Sequence, residues 1–505
     1  MATDTDTRSG IGRRAFLTRI AVVAGGSVLA AACAPAAPAA PTAAPAKPTE
    51  APKAAATSAP AAAAPTSAPA AAKPTEAPKP TAAPAAKPTE APKAEAKPAA
   101  GTIELTWTFW DNPKNVGYED IVANWSKANP NIVIKMMPTP DRYEDKVRTM
   151  LSAGTPPEII QVNDDYNYAY AVKGWTRPLD DYIKAAGWKK EDYYPVIWEF
   201  GWATGKFTYV TIGTRPRAII YNVDMLQKAG LKLLPNVWDP TKWDQPKWWN
   251  WDKAVEYGKA LTKVEGNRTA VWGTCLWTEG RSESYWAMAT GLEGAPYSKD
   301  GKKFTLATPQ GIQTTQWLAD LTCKYKIAPD QASLRQMGYV DLFQSGQLAM
   351  FMGNSAHTSA FRTTIKNFKY DIGPWPVGPA GINPAGISLV GMCIPVKTKY
   401  PDQAWKFLEF VCNDDSQKIL AQKAFIPSRL DQAKYFDVPG QPPAANMMYV
   451  ESMKYGVMEN FTENTERARQ IYATEMEAIM NCSKTAEEVL NKVKPDVEAA
   501  LEGKL

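Results

Sequence analysis

The residues of this 505-residue chain with chemical potential fall in a few places. Asp111-Asn112 and Asn163-Asp164-Asp165-Tyr166 form two polar clusters, Arg215 and Arg217 flank Pro216, and Trp277, Arg281 and Glu283 lie within seven positions of one another. His357 is the only histidine. A Ser-His-Asp or Cys-His enzyme would rest on that one side chain, and a His-ligated zinc site would have no second imidazole. Adjacent acids such as Asp164-Asp165 supply the residue types for glycoside hydrolysis, yet neighbours in sequence seldom give two carboxyls the separation needed. Arg215, Arg217 and Arg281 suit bidentate recognition of a carboxylate or phosphate. All 18 tryptophans lie between Trp107 and Trp405, more than a core requires, so some are expected to line a pocket.

The elements that must position these residues follow from hydrophobic period and punctuation. Residues 103–110 alternate and read as a strand ended by Asp111-Asn112-Pro113, and 118–129 read as a helix stopped by Pro130. A strand over 131–137, a helix over 143–153 and a buried strand over 158–162 follow. This alternation predicts a largely parallel, helix-covered sheet, whose ligands bind beyond the carboxyl ends of the strands. Both polar clusters stand at such ends. Residues 207–222 read as extended, and helices are expected over 225–230, 312–324, 338–345, 402–411 and most of 451–501. Short strands are expected over 349–352 and 370–372, and 373–384 is Pro/Gly-rich. The tryptophan-dense stretch 243–251 reads as packing.

The first hundred residues read as an address and a tether. Arg13-Arg14 before Phe16-Leu17, then an apolar run over 20–32 ending at Cys33, is an export-signal pattern. The run is too short to span a bilayer, which needs about 20 apolar residues. The arginine pair resembles a bacterial twin-arginine signal. Ala30-Ala31-Ala32-Cys33 resembles a lipobox, with Ala30 where the usual Leu would stand, which implies lipidation of Cys33. Residues 34–100 are nearly all Ala, Pro, Lys, Thr and Glu, and one eight-residue block recurs at 46–53, 72–79 and 86–93. Such a segment has too little apolar area to offset chain entropy and is expected to be a disordered spacer.

Eleven basic and six acidic residues in the first 100, against 57 and 52 in the whole chain, leave residues 101–505 with balanced charge. A neutral body argues against a nucleic-acid partner. Apart from Cys33, five widely spaced cysteines remain, with no Cys-x-x-Cys. They allow at most two disulfides and most read as small buried apolar residues.

A series of weak motifs occurs in fixed order: Phe109-Trp110-Asp111, Tyr143-Glu144-Asp145-Lys146, Gly154-Thr155-Pro156-Pro157-Glu158-Ile159-Ile160 and Gly174-Trp175-Thr176-Arg177-Pro178-Leu179-Asp180. Ile220-Tyr221-Asn222-Val223-Asp224, Phe343-Gln344-Ser345-Gly346-Gln347-Leu348-Ala349-Met350, Pro374-Trp375-Pro376-Val377-Gly378-Pro379 and Ala404-Trp405-Lys406-Phe407-Leu408 follow. In this order they resemble the family 1 extracellular solute-binding proteins of ABC importers. The resemblance implies a two-lobed, periplasmic-binding-protein-like α/β fold (type II) with a hinge and an interlobe cleft. It implies lobe one at 101–212 plus 375–427 and lobe two at 216–370 plus 430–505. It also implies a small-molecule solute, foremost a mono- or oligosaccharide, permease subunits as partners, a monomer, no cofactor or metal, no catalysis, and a place on the outer face of the membrane or in the periplasm.

The same resemblance offers site residues, because sugars pair carboxylates and amides with aromatic planes. Asp111 and Asn112 are expected at the cleft, as ligand contacts or helix caps. Asp165 and Tyr166 are expected there too, and Arg215 at the first crossing as ligand contact or hinge ion pair. Trp277, Arg281 and Glu283 would reach in from lobe two. Asn354 and His357 follow a short strand, where relatives place an aromatic residue. Trp375 is expected at the second crossing, as contact or core. The alternatives are an exported carbohydrate-active enzyme and a binder of an acidic or phosphorylated solute.

Overall fold

The computed structural model describes residues 101–202, 204–278 and 280–505. The export signal, Cys33 and the repeat segment lie outside the described residues.

The chain opens with β1 (Ile103–Phe109), α1 (Tyr118–Ala128), β2 (Ile132–Pro138), α2 (Tyr143–Ser152), β3 (Ile159–Asn163) and α3 (Asp164–Val172). In α2 the buried residues Tyr143, Val147 and Leu151 recur every four positions and give the helix one apolar face. β4 (Val210–Asn222) is buried along its length except at Arg215. Next come α4 (Trp251–Leu261), a hairpin of β5 (Lys263–Glu265) and β6 (Arg268–Val271), α5 (Ser282–Met288), α6 (Pro309–Cys323) and α7 (Tyr339–Gln344). The rest includes β7 (Met350–Asn354), α8 (Ser355–Thr364), β8 (Tyr370–Gly373), β9 (Ala385–Cys393), α9 (Pro401–Val411), β10 (Gly456–Val457), α10 (Thr465–Met480) and α11 (Ala486–Leu501).

The main sheet runs β2-β1-β3-β9-β4-β7, with β8 on β4 and β10 on β9. Only part of it matches the parallel sheet expected from the strand–helix alternation. β1 pairs β2 and β3 in parallel. β9, however, is antiparallel to both β3 and β4, and β4 is antiparallel to β7 and β8. The cause is that β4 and β9 are long strands passing between lobes in opposite directions. Val210 and Ile212 of β4 pack in one core with Trp107, Trp125 and Phe407, while Ile219 and Ile220 pack in the other with Phe343 and Phe351. β9 does the same, with Ile387 and Leu389 in the second core and Val390 and Met392 in the first. The result is a two-lobed α/β fold on a shared, mixed sheet.

Cys323 at the end of α6 forms a disulfide with Cys482, just past α10. Cys275 and Cys393 are free and buried, and Cys412 is free and half-buried. No described helix is long and apolar enough to cross a membrane.

Candidate functional site

One group of side chains gathers at the end of β1, a second ties α3 to Arg281, Glu459 and Arg469, and a third lines a pocket formed by residues 277–283, 331–339 and 473–477. The first is centred on Asp111, just past β1. Arg215 Nη2 donates to Asp111 Oδ1 at 2.9 Å, and Gln161 Nε2 donates to Oδ2 at 2.8 Å. The Arg215 guanidinium also lies over the Phe425 ring, 4.4 Å from its centre. Both carboxylate oxygens of Asp111 are therefore engaged by protein, and Arg215 serves as an ion-pair partner on the crossing strand β4. Burial, then the Asp111 charge, pushes the neighbouring Tyr118 hydroxyl well above its usual range. Asn112 is exposed and caps the short helix Pro113–Val116, its Oδ1 accepting from Asn115 N at 3.2 Å.

The second group is a buried charge cluster. Asp164 and Asp165 occupy the first turn of α3, where the helix dipole favours negative charge. Arg281 clasps Asp164 with two bonds of 3.2 Å, and its Nε lies 2.7 Å from Glu459 Oε2. Arg469 of α10 donates to Asp165 at 2.9 Å and to Glu459 at 3.0 Å. Three carboxylates and two guanidiniums thus form one network. Burial works against the charge of Asp165, yet Arg281 and Arg469 hold its carboxyl below the usual value. Asp164, fully buried, stays above its usual value because desolvation outweighs Arg281. Burial also opposes the charge of Arg281, but Asp164 and Glu459 raise its pKa well above normal.

The third group is a pocket of about 390 Å³ lined by Trp277, Thr278, Glu283, Tyr339, Met476 and Glu477, among others. Glu283 is 1% exposed. Its Oε2 accepts from Trp277 Nε1 at 3.1 Å. Burial pushes its carboxyl up to about 7, with its own backbone N–H and Trp277 pulling the other way. Tyr285, one turn into α5, joins the groups: its ring lies against the guanidiniums of Arg217, at 4.5 Å, and Arg281, at 5.3 Å.

The structure therefore brings Asp111 to Arg215, Asp165 to Arg281, and Trp277 to Glu283. Tyr166 is half-buried beside Asp165, whose Oδ1 accepts from its backbone N–H. Asn354 and His357 build the cap of α8: Asn354 Oδ1 accepts from Ala356 N, and His357 Nδ1 accepts from Asn354 N at 3.1 Å. The His357 ring meets Tyr339 at 6.0 Å between centres. Trp375 is fully buried and stacks on Trp286 at 4.7 Å, so in this conformation it presents no face to a solute. Sequence reading missed Gln161, Tyr285, Tyr339, Glu459 and Arg469. Only their types were visible, since Glu459 and Arg469 stand more than 170 positions from Arg281 in a polar stretch that reads as solvent-facing. Among the described residues no His, Cys, Asp and Glu cluster could hold a metal ion.

Comparisons with known proteins agree with this architecture. Residues 111–418 match the family model for bacterial extracellular solute-binding proteins. A protein of Brucella abortus (strain 2308) named as a binding protein is 23% identical over 322 residues, 63% of this chain and 74% of that one. An ABC substrate-binding protein of Listeria monocytogenes, solved in complex with cycloalternan, superposes with a TM-score of 0.71 at 22% identity, covering 79% of this chain and 99% of that chain. A maltose-bound protein of T. maritima gives a TM-score of 0.65 at 18% identity over 80% of this chain and all of the other. The family match spans more than half the sequence, and the chain belongs to the bacterial extracellular solute-binding proteins.

Proposed function

We propose that this solute-binding protein takes a carbohydrate into the cleft between its lobes and delivers it to the permease of an ABC importer. The observation that carries this reading is the pocket in lobe two where Trp277 and Tyr339 stand beside the buried carboxyl of Glu283. Aromatic planes cover the apolar faces of a sugar ring, and a carboxyl accepts from its hydroxyls. Similar structures solved with cycloalternan, tagatose, maltose and mannotriose support the same class of solute. Asp111, Asp165, Tyr166, Arg215 and Arg281 then act mainly by shaping the cleft and closing it. The chain works as an exported monomer, held at the outer face of the membrane by lipid on Cys33, with residues 34–100 as spacer.

The acidic-solute alternative loses ground on charge. Arg215 is paired with Asp111, and Arg281 is shared by Asp164 and Glu459. A bound anion would have to displace these carboxylates.

Thermal-shift screening of the protein against a sugar library tests the proposal. A solute bound only to the folded state raises the melting temperature, by RT ln(1 + [L]/Kd) in free energy. A rise with one class of sugar is expected. Shifts with acidic or phosphorylated compounds alone would overturn the carbohydrate reading.

A further inference from the structure

The Trp277–Tyr339 pocket has a charge character that the carbohydrate reading leaves unused. Two carboxyls, Glu283 and Glu477, line it, and among its described lining residues there is no lysine, arginine or histidine. Glu477 is exposed at the rim and Glu283 is buried inside. Glu283 has no ion pair among the described residues, and its hydrogen bonds come from the neutral indole of Trp277 and its own backbone N–H. The two nearby guanidiniums are committed elsewhere: Arg281 to Asp164 and Glu459, Arg469 to Asp165 and Glu459. Around the pocket, carboxylates outnumber cations even before Glu283 is counted. A buried carboxyl without a cation is costly, and a desolvated ammonium against aromatic faces gains both cation–π and ion-pair energy.

Resting on the carbohydrate reading, we propose that the solute is an amino sugar or a short oligomer of one, whose protonated amino group enters this pocket and pairs with Glu283.

Protonation follows from the pairing. The carboxyl, now pushed up to about 7, would be drawn back to its ionised form by the ammonium. Near pH 6 the free protein holds Glu283 largely protonated, so binding releases that proton to solvent. The other charged or titratable groups around Glu283 are Glu459 and Arg469, which are paired with each other, Tyr472, and Tyr339 and Glu477 of the pocket lining. Arg469, held above the usual guanidinium range, stays charged near pH 6, and Tyr472, held above the usual phenol range, stays neutral.

Calorimetric titration of the whole protein decides the matter, with four matched disaccharides: 2-amino, N-acetylated, neutral and uronic acid. The 2-amino form is expected to bind at least tenfold more tightly than its N-acetylated form. Titrations at pH 6 in buffers of different ionisation enthalpy are expected to show net proton release with the unaltered protein, a readout that needs no variant. Glu283→Gln is expected to erase the preference for the amino form. Equal or tighter binding of the N-acetylated or neutral form would overturn the proposal and leave the carbohydrate reading standing, as would absence of proton release. Binding of none of the four would count against the carbohydrate reading itself and remove the proposal with it.

Discussion

Arg281→Met isolates the tie between α3 and the loop before α5. In the native arrangement Asp164 is fully buried, and Arg281 is the only guanidinium bonded to it among the described residues. Asp165 and Glu459 keep Arg469. Removing one partner of a buried ion pair costs about 3–5 kcal/mol, because the remaining charge is stranded. Two lobes joined by crossing strands have a route other than unfolding: by breaking the Arg469–Asp165 pair as well, they can separate and let water reach Asp164. The penalty is thereby capped at the free energy of opening. For a folded body of roughly 400 residues, the usual unfolding entropy makes 4 kcal/mol worth about 5 °C in melting temperature. We therefore expect a fall of no more than about 5 °C, together with a larger radius of gyration in small-angle scattering. Asp164→Leu added to Arg281→Met should bring both values back toward wild type, since an apolar pair of similar volume needs no hydration. Unchanged scattering and melting in Arg281→Met would refute the reasoning, as would a double variant that stays open.

Two further predictions follow from buried groups. Glu283 has a folded-state pKa of about 7, above the 4.5 of a free glutamate, so between these values the folded state holds more protons than the unfolded state. Stability contributed by the neutral carboxyl is then present below about pH 4.5 and is lost as pH rises through 7, roughly 3 kcal/mol in all. Glu283→Gln should equal wild type near pH 4.5 and exceed it at pH 8 in urea unfolding; a pH-independent difference would contradict the assignment. The Cys323–Cys482 disulfide closes a loop with a sequence separation of 159 residues. Replacing both cysteines by serine should cost about 4–5 kcal/mol by loop entropy, read as a lower melting temperature, whereas an unchanged midpoint would show the link to be idle.

Much of the fold was legible because local period and tertiary burial agree. Residues 103–110, 143–153 and 158–162 read as strand, helix and strand, and β1, α2 and β3 lie there to within a residue. β9 escaped notice. It follows a Pro/Gly-rich stretch, and Gly386 and Gly391 break its β-branched pattern. Those glycines are demanded by packing: a Cβ on Gly391 would lie 2.0 Å from the Tyr209 ring, and one on Gly386 would lie 2.9 Å from Tyr285. Missing β9 is what made the sheet read as largely parallel. The candidate site shows the same division. Asp165, Arg281, Trp277 and Glu283 were visible as residue types near strand ends and loops. Glu459 and Arg469 were not, because a buried charge is marked only by the partner that folding brings to it.

A sugar held in the Trp277–Tyr339 pocket must lie against Trp277. Equilibrium binding of the best library sugar to wild type, Trp277→Ala and Trp202→Ala tests it most directly, Trp202 being 49% exposed and absent from the lining of the pocket. Losing one aromatic platform removes about 1.4 kcal/mol or more, a factor of ten in Kd. At least that loss is expected in Trp277→Ala, and wild-type affinity in Trp202→Ala. Equal affinity in all three proteins would contradict it.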